Sequence, residues 1–315
     1  MTHKERAIIT LQGGQADFVP TCELVFHETE RDFEGRIFQG TDFAPLDSLN
    51  KNIEDIYDEN AQLYVDVARK YNHSIIYIVP LQWTYAGYYH QAIEIMKRVK
   101  AISGDEFCIM LPGDPTFKIP GDPMQFSIDM YDNPDKIKGI AEQKLSAMIK
   151  TYDAAAEAGA DGIVMTSDYA MNSGPFLSPD MFREFVFPYL KRAIDEIHKR
   201  DLLVIKHTDG NLMPIIDQLV EAGPDAIHSL DPMAGMDIKE IKEKYGKDLC
   251  LCGNVQCDLL QNGTDDEIKA SAEYAMKHGK PGGGYIYATS NCVFRGMPIK
   301  SYDIMHSVWD KNREY

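Results

Sequence analysis

The chain has 315 residues, 44% of them hydrophobic, with a net charge of −17 and a pI near 4.9. That length suits one large α/β domain or two small ones and supplies a sizeable core. The acidity argues against a nucleic-acid footprint and against adsorption to an anionic membrane surface. The opening Met1-Thr-His-Lys-Glu-Arg-Ala shows no apolar signal region, and no run approaches a membrane-spanning length. The cysteines Cys22, Cys108, Cys250, Cys252, Cys257 and Cys292 are scattered, which fits a reducing compartment better than a disulfide framework. A cytoplasmic protein is therefore expected.

In chain order, residues 3–15 read as a short amphipathic helix closed by Gly13-Gly14, and 18–25 as a first strand carrying Cys22 and Glu23. The segment 27–52 is irregular and can cover the mouth of a site. A helix over 53–71 leads to a strand at 74–81 and an aromatic cluster of Trp83, Tyr85, Tyr88 and Tyr89. Then follow helix 91–102, strand 107–112, a loop from Gly113-Asp-Pro, and a long helix over 135–158. Strand 161–168 ends in polar residues. Ser178-Pro-Asp-Met is a good helix start, with a serine cap, proline in the first turn and an acid at the positive dipole end.

That helix runs towards Arg200 and feeds Leu202-Leu-Val-Ile-Lys-His-Thr-Asp-Gly-Asn211, an apolar strand that ends abruptly in His207 and Asp209. Helix 213–222, strand 225–231, helix 237–245, strand 248–255, helix 265–278, strand 284–292 and helix 298–313 complete the chain. Strand–helix alternation of this kind, with no composition break, predicts a single (β/α)8 barrel domain over 1–315 with an N-terminal extension. A doubly wound sheet is the alternative, disfavoured because no Gly-x-Gly-x-x-Gly follows the first strand.

Chemistry in such a barrel sits at the C-terminal strand ends. Those positions hold Glu23, Asp114, Asp168, His207, Asp209, Asp231, Cys252, Asn254, Asn291 and Cys292, a ring of polar groups that a purely structural barrel does not need. His, Asp and Cys on neighbouring strand ends can ligate Zn²⁺ with one position open. Cys252 reads equally well as a buried thiol, and Cys250, on the same side of its strand, as one packed deeper. The aromatic cluster can stack a flat ring or simply pack a lid.

From about Gly159 to Pro298 the chain resembles the uroporphyrinogen decarboxylase superfamily. The matching pieces are Phe176-Leu-Ser-Pro-Asp-Met-Phe-Arg-Glu-Phe-Val-Phe-Pro188, His207-Thr-Asp-Gly-Asn211, Cys252-Gly-Asn-Val255, Leu260-Gln-Asn-Gly-Thr264 and Gly282-Gly-Gly-Tyr-Ile286. The resemblance implies a (β/α)8 barrel and one of two chemistries: porphyrinogen decarboxylation, or methyl transfer to a corrinoid protein. Decarboxylases bind their polycarboxylate through arginines near the N-terminus; here that region reads Phe18-Val-Pro-Thr-Cys-Glu-Leu24, with an acid instead.

Thiol-methylating members carry a His-x-Cys zinc motif and a distant Cys. Here His207 matches the His, Asp209 stands in place of the Cys, and Cys292 lies near the distant Cys. A harder ligand set suits an oxygen substrate. The resemblance thus implies an O-demethylase methyltransferase that moves the methyl group of a methoxylated aromatic to Co(I) of cobalamin on a separate corrinoid protein, assisted by zinc. The expected catalytic residues are His207, Asp209, Glu23 and Asp168, with His207, Asp209, Cys252 and Cys292 as metal ligands. Trp83, Tyr85, Tyr88, Asn254 and Asn291 are the expected substrate contacts, and a homodimer is compatible with the sequence. A methyltransferase for a thiol or amine is the alternative within the same branch.

Overall fold

The computed structural model describes residues 1–26, 33–40, 49–81, 89–118 and 120–315. Its strands, in chain order, are β1 (Ile75–Tyr77), β2 (Cys108–Pro112), β3 (Gly162–Met165), the two-residue β4 (Ala170–Met171) and β5 (Gly174–Pro175), β6 (Leu203–Thr208), β7 (Ala226–Ser229), β8 (Cys250–Val255) and β9 (Tyr285–Thr289). The helices begin with α1 (His3–Leu11), α2 (Ile53–Lys70), α3 (Tyr89–Ser103), α4 (Pro123–Asp132), α5 (Pro134–Glu157) and α6 (Pro179–Phe185). They continue with α7 (Phe187–His198), α8 (Ile216–Ala222), α9 (Ile238–Tyr245), α10 (Cys257–Asn262), α11 (Asp265–Gly279) and α12 (Ile299–Asn312).

Seven strands form one curled parallel sheet in the order β1-β2-β3-β6-β7-β8-β9, while β4 and β5 make a separate antiparallel hairpin. The architecture is barrel-like, but the expected first strand over 18–25 is not a strand. Thr21 makes isolated parallel bridges to His73 at one edge of the sheet and to Tyr287 at the other. Ser74 N donates to Thr21 O at 2.7 Å and Tyr287 N to Pro20 O at 2.9 Å. Pro20 has no N–H for a ladder, which limits the pairing this segment can make.

The two faces of the sheet carry different residues because side chains alternate along each strand. Ile75, Tyr77, Cys108, Met110, Val164, Ile205, Ala226, Cys250, Cys252, Ile286 and Ala288 pack together inside, with Ala7 and Leu11 of α1 joining them. Their neighbours, among them Ile76, Ile109, Ile163, Val204, Ile227, Leu251 and Tyr287, pack outward with the helices.

Two further differences from the sequence reading have local causes. The helix expected from Ser178 to Arg200 is broken at Val186, between α6 and α7. Pro188 lacks an N–H and clashes with the carbonyl four residues earlier, so an unbroken helix cannot pass through it. Helix α4 was not expected; it starts with Asp122 capping Gln125 N and Pro123 in the first turn. Helix α10 begins at Cys257, which is half-buried there. Among the described residues no helix is long and apolar enough to cross a membrane.

Candidate functional site

Strand β6 delivers the centre of the site. Ile205 belongs to the inner face of the sheet, so His207, two residues on, shares that face and Lys206 does not. His207 is directly opposite His228 of β7 in the parallel register, and His228 is opposite Cys252 of β8. The ring nitrogens His207 Nδ1 and His228 Nδ1 are 2.8 Å apart. Both rings are buried. The other nitrogen, His207 Nε2, faces two carboxylates: Asp168 Oδ1 at 3.7 Å and Asp209 Oδ1 at 3.8 Å.

The turn after β6 is tied to the loop after β3. Tyr169 N donates to Thr208 Oγ1 at 2.9 Å, Asp209 N to Asp168 Oδ1 at 3.0 Å, and Asn211 N to Met171 O at 2.9 Å. Gly210 makes this possible: its φ is +86°, and a Cβ there would lie 2.5 Å from the Ala170 backbone. Asn291, after β9, donates its Nδ2 to Asp209 Oδ2 at 2.7 Å. Asp209 Oδ1 is buried with no hydrogen-bond partner.

Burial is the largest influence on the titration of these groups. Burial pushes His207 below its ordinary value, against the opposing pull of Asp209 and Asp168. Burial likewise raises Asp209, against the pull of His207. His228 is pushed well down, by burial first and by His207 second. Asp231 at the end of β7 is raised, chiefly by burial.

Among the described residues, Asp168, His207 and Asp209 form the one cluster of potential metal ligands whose donor atoms all lie within 4.8 Å of one another. Tetrahedral zinc with bonds of about 2.0–2.1 Å places neighbouring ligand atoms about 3.4 Å apart. The observed separations are too long for hydrogen bonds and close to that spacing, and Asp209 Oδ1 has an unused lone pair. An N–H on His207 Nδ1 donated to His228 would leave Nε2 bare to ligate, the usual way an outer partner fixes the tautomer of a metal-binding histidine. The donor set fits a divalent ion.

The two cysteines expected as ligands lie outside that cluster. Cys252 Sγ is 3.8 Å from Cys22 Sγ on the inner face, and that contact together with burial raises its pKa well above the ordinary value. Cys292 is half-buried, its thiol pushed up to about 12 by burial, and its carbonyl accepts from Cys257 Sγ. Glu23 is also apart from the cluster, at the seam between β1 and β9, where Thr289 N and Oγ1 donate to it at 3.2 and 2.6 Å. Asn254 is buried and spends its amide hydrogens on the carbonyls of Leu230 and Met236. Trp83, Tyr85 and Tyr88 lie outside the described residues.

Two buried polar groups of the site escape a reading of the sequence, His228 and Lys206; Asp114, the partner of Lys206, is among the strand-end residues expected from it. Each has a sequence signal, a histidine or lysine inside a strand body that is otherwise apolar.

The fold and the site together define a barrel-like α/β protein with a histidine–carboxylate cluster at its strand ends, the layout of an enzyme. Residues 118–311, well over half of the chain, match the family described as uroporphyrinogen decarboxylase (URO-D), and the chain belongs to that family. It is 34% identical over 152 residues to a uroporphyrinogen decarboxylase of Chlorobium luteolum, a match covering 47% of this chain and 40% of that enzyme. It is 26% identical over 132 residues to the chloroplastic uroporphyrinogen decarboxylase 2 of Arabidopsis thaliana, covering 41% of this chain and 32% of that one. The matched stretch thus spans less than half the length of these relatives. Among solved structures, a methyltransferase from Methanosarcina mazei superposes with a TM-score of 0.75, covering 99% of both chains at 18% identity, which shows a shared fold.

Proposed function

We propose that this protein is a corrinoid-protein-dependent methyltransferase that takes the methyl group of a methoxylated aromatic. The observation that carries the reading is His207 Nε2 facing Asp168 and Asp209 at 3.7 and 3.8 Å, with a buried carboxylate oxygen left unpaired. An aryl methyl ether is a reluctant methyl donor because phenolate leaves poorly, so its oxygen must be polarised as the methyl departs. A divalent ion such as zinc, held by Asp168, His207 and Asp209, would supply that polarisation as a Lewis acid.

The chain's own residues set the stage. His228 fixes the His207 ring, Asn291 orients Asp209, and the hydrogen bond from Asp209 N holds Asp168 beside them. Nitrogen and oxygen donors suit an oxygen substrate better than a thiol. A partner protein would carry the cobalamin that receives the methyl group, and its docking at the barrel mouth would exclude water.

The names of the curated relatives favour a second reading, decarboxylation of a porphyrinogen. The carboxylates Asp168, Asp209 and Asp231 at the mouth weigh against it, since they repel a polyanionic substrate.

The test is metal content and methyl transfer measured side by side. The protein, with His207→Ala, Asp209→Ala and Cys292→Ser variants, is analysed for zinc. It is then assayed with methoxybenzoates and chemically reduced free cobalamin, and separately with uroporphyrinogen. Zinc lost in the first two variants and kept in Cys292→Ser, with methyl transfer in the wild type, supports the proposal. Consumption of uroporphyrinogen by protein that transfers no methyl group would replace it with decarboxylation.

A further inference from the structure

Behind the His207 cluster, on the outer face of β6, a fully buried ion pair joins three strand ends. Lys206 Nζ donates to Asp114 Oδ2 at 2.8 Å, to Ser167 O at 2.8 Å and to His207 O at 3.0 Å. An ammonium has three hydrogens, so all are spent. Asp114 returns the grip: its Oδ2 also accepts Ser167 N at 2.8 Å, and its Oδ1 accepts Thr116 N at 2.9 Å and Thr116 Oγ1 at 2.5 Å. The Tyr169 ring lies 4.3 Å from the ammonium, and both partners of the pair are shut off from solvent.

Ser167 is therefore held at its N–H by one partner and at its carbonyl by the other. The next residue is Asp168. The same ammonium holds the carbonyl of His207. One cation thus fixes the peptide before one member of the cluster and the peptide of a second.

We propose that Lys206 and Asp114 are a positioning pair: they set the placement of Asp168 relative to His207, and through it the affinity of the cluster for a divalent ion. This rests on the reading of Asp168, His207 and Asp209 as a metal site. Lys206 cannot be a catalytic residue, because strand alternation turns it away from the face that carries His207. Stability is a weak reason for the pair, because a buried ion pair can often be exchanged for apolar residues of similar volume at little cost. What an apolar pair cannot do is hold Ser167 at both backbone groups.

The decisive protein is the double variant Lys206→Met/Asp114→Leu, which leaves no buried charge unpaired. Zn²⁺ affinity is measured by competition with a chromogenic chelator, folding by thermal melting, and the loop by hydrogen exchange of peptides covering 162–171. A cooperatively folded double variant is expected to bind Zn²⁺ roughly 10–100-fold more weakly, the range typical of lost outer-shell support. Exchange in the loop peptide should be faster.

A folded double variant with wild-type affinity overturns the proposal. Should the double variant fail to fold, Asp114→Asn, which keeps the volume, decides between the outcomes: weaker binding supports the pair and unchanged binding overturns it. His207→Ala is run alongside. If it also binds Zn²⁺ as the wild type does, the metal-site reading falls and the positioning role falls with it. If only His207→Ala loses the ion, the site stands and the positioning role alone is wrong.

Discussion

Replacing Glu23 by glutamine should remove a defined part of the protein's pH dependence. Glu23 is 6% exposed and accepts hydrogen bonds from Thr289 N and Thr289 Oγ1. Those bonds favour the carboxylate, yet burial outweighs them and lifts the group from 4.5 to about 8. At neutral pH the folded protein therefore holds a proton on Glu23 that the unfolded chain releases. Stability from this group is complete below pH ~4.5, falls as pH rises through the folded value near 8, and is flat above it.

At about 1.4 kcal/mol for each pH unit of displacement, the loss across that window is about 5 kcal/mol. Urea unfolding of the wild type and Glu23→Gln at intervals from pH 5 to pH 9 measures it. Every other titrating group cancels in the difference between the two proteins. The amide shifts stability by a constant offset, so the slope is the quantity tested. A difference that stays constant within about 1 kcal/mol from pH 5 to 9 would show that Glu23 is ionised in the fold, and the reasoning from burial would be refuted.

Gly162→Ala should cost about 3 kcal/mol or more, since its Cβ would collide with the Met110 methyl and lie 2.5 Å from the Leu203 carbonyl, in the middle of the sheet; the urea midpoint reads it. Thr264→Ala should cost about 1 kcal/mol by removing one half of the capping box that starts α11, in which Thr264 and Glu267 satisfy each other's backbone N–H groups. Restoring serine at that position should recover most of the loss, whereas valine should not.

The elements that could be read from sequence are those whose pattern is local. Strands β2, β3, β6, β7, β8 and β9 are short apolar runs punctuated by polar residues, and α2, α5, α11 and α12 are periodic segments close to the expected bounds. His207 and Asp209 were legible because an apolar strand that stops abruptly at a histidine and an aspartate is how a parallel sheet delivers polar groups to its C-terminal edge. What sequence left out depends on contacts between distant residues. The 18–25 segment looks like a strand, but its pairing is set by edges 50 and more residues away, and it makes bridges only. Lys206 and His228 were not legible because their meaning lies in Asp114 and His207, which only the folded sheet brings to them. The ligand role of Cys252 and Cys292 had no local pattern to support it, and the folded chain places both outside the three-residue cluster.

The bridging segment at Thr21 has a consequence for synthesis. Thr21 Oγ1 donates to Tyr287 O across 266 residues, at 2.7 Å, and Trp309 Nε1 donates to Val19 O at 2.9 Å. Neither contact can exist until the ribosome has delivered residues 287 and 309 respectively. Until then the inner face carrying Ile75, Met110, Val164 and Ile205 lacks its last wall of Ile286 and Ala288. A nascent chain stalled before residue 285 would display that surface as an open trough, a target for chaperones and for self-association.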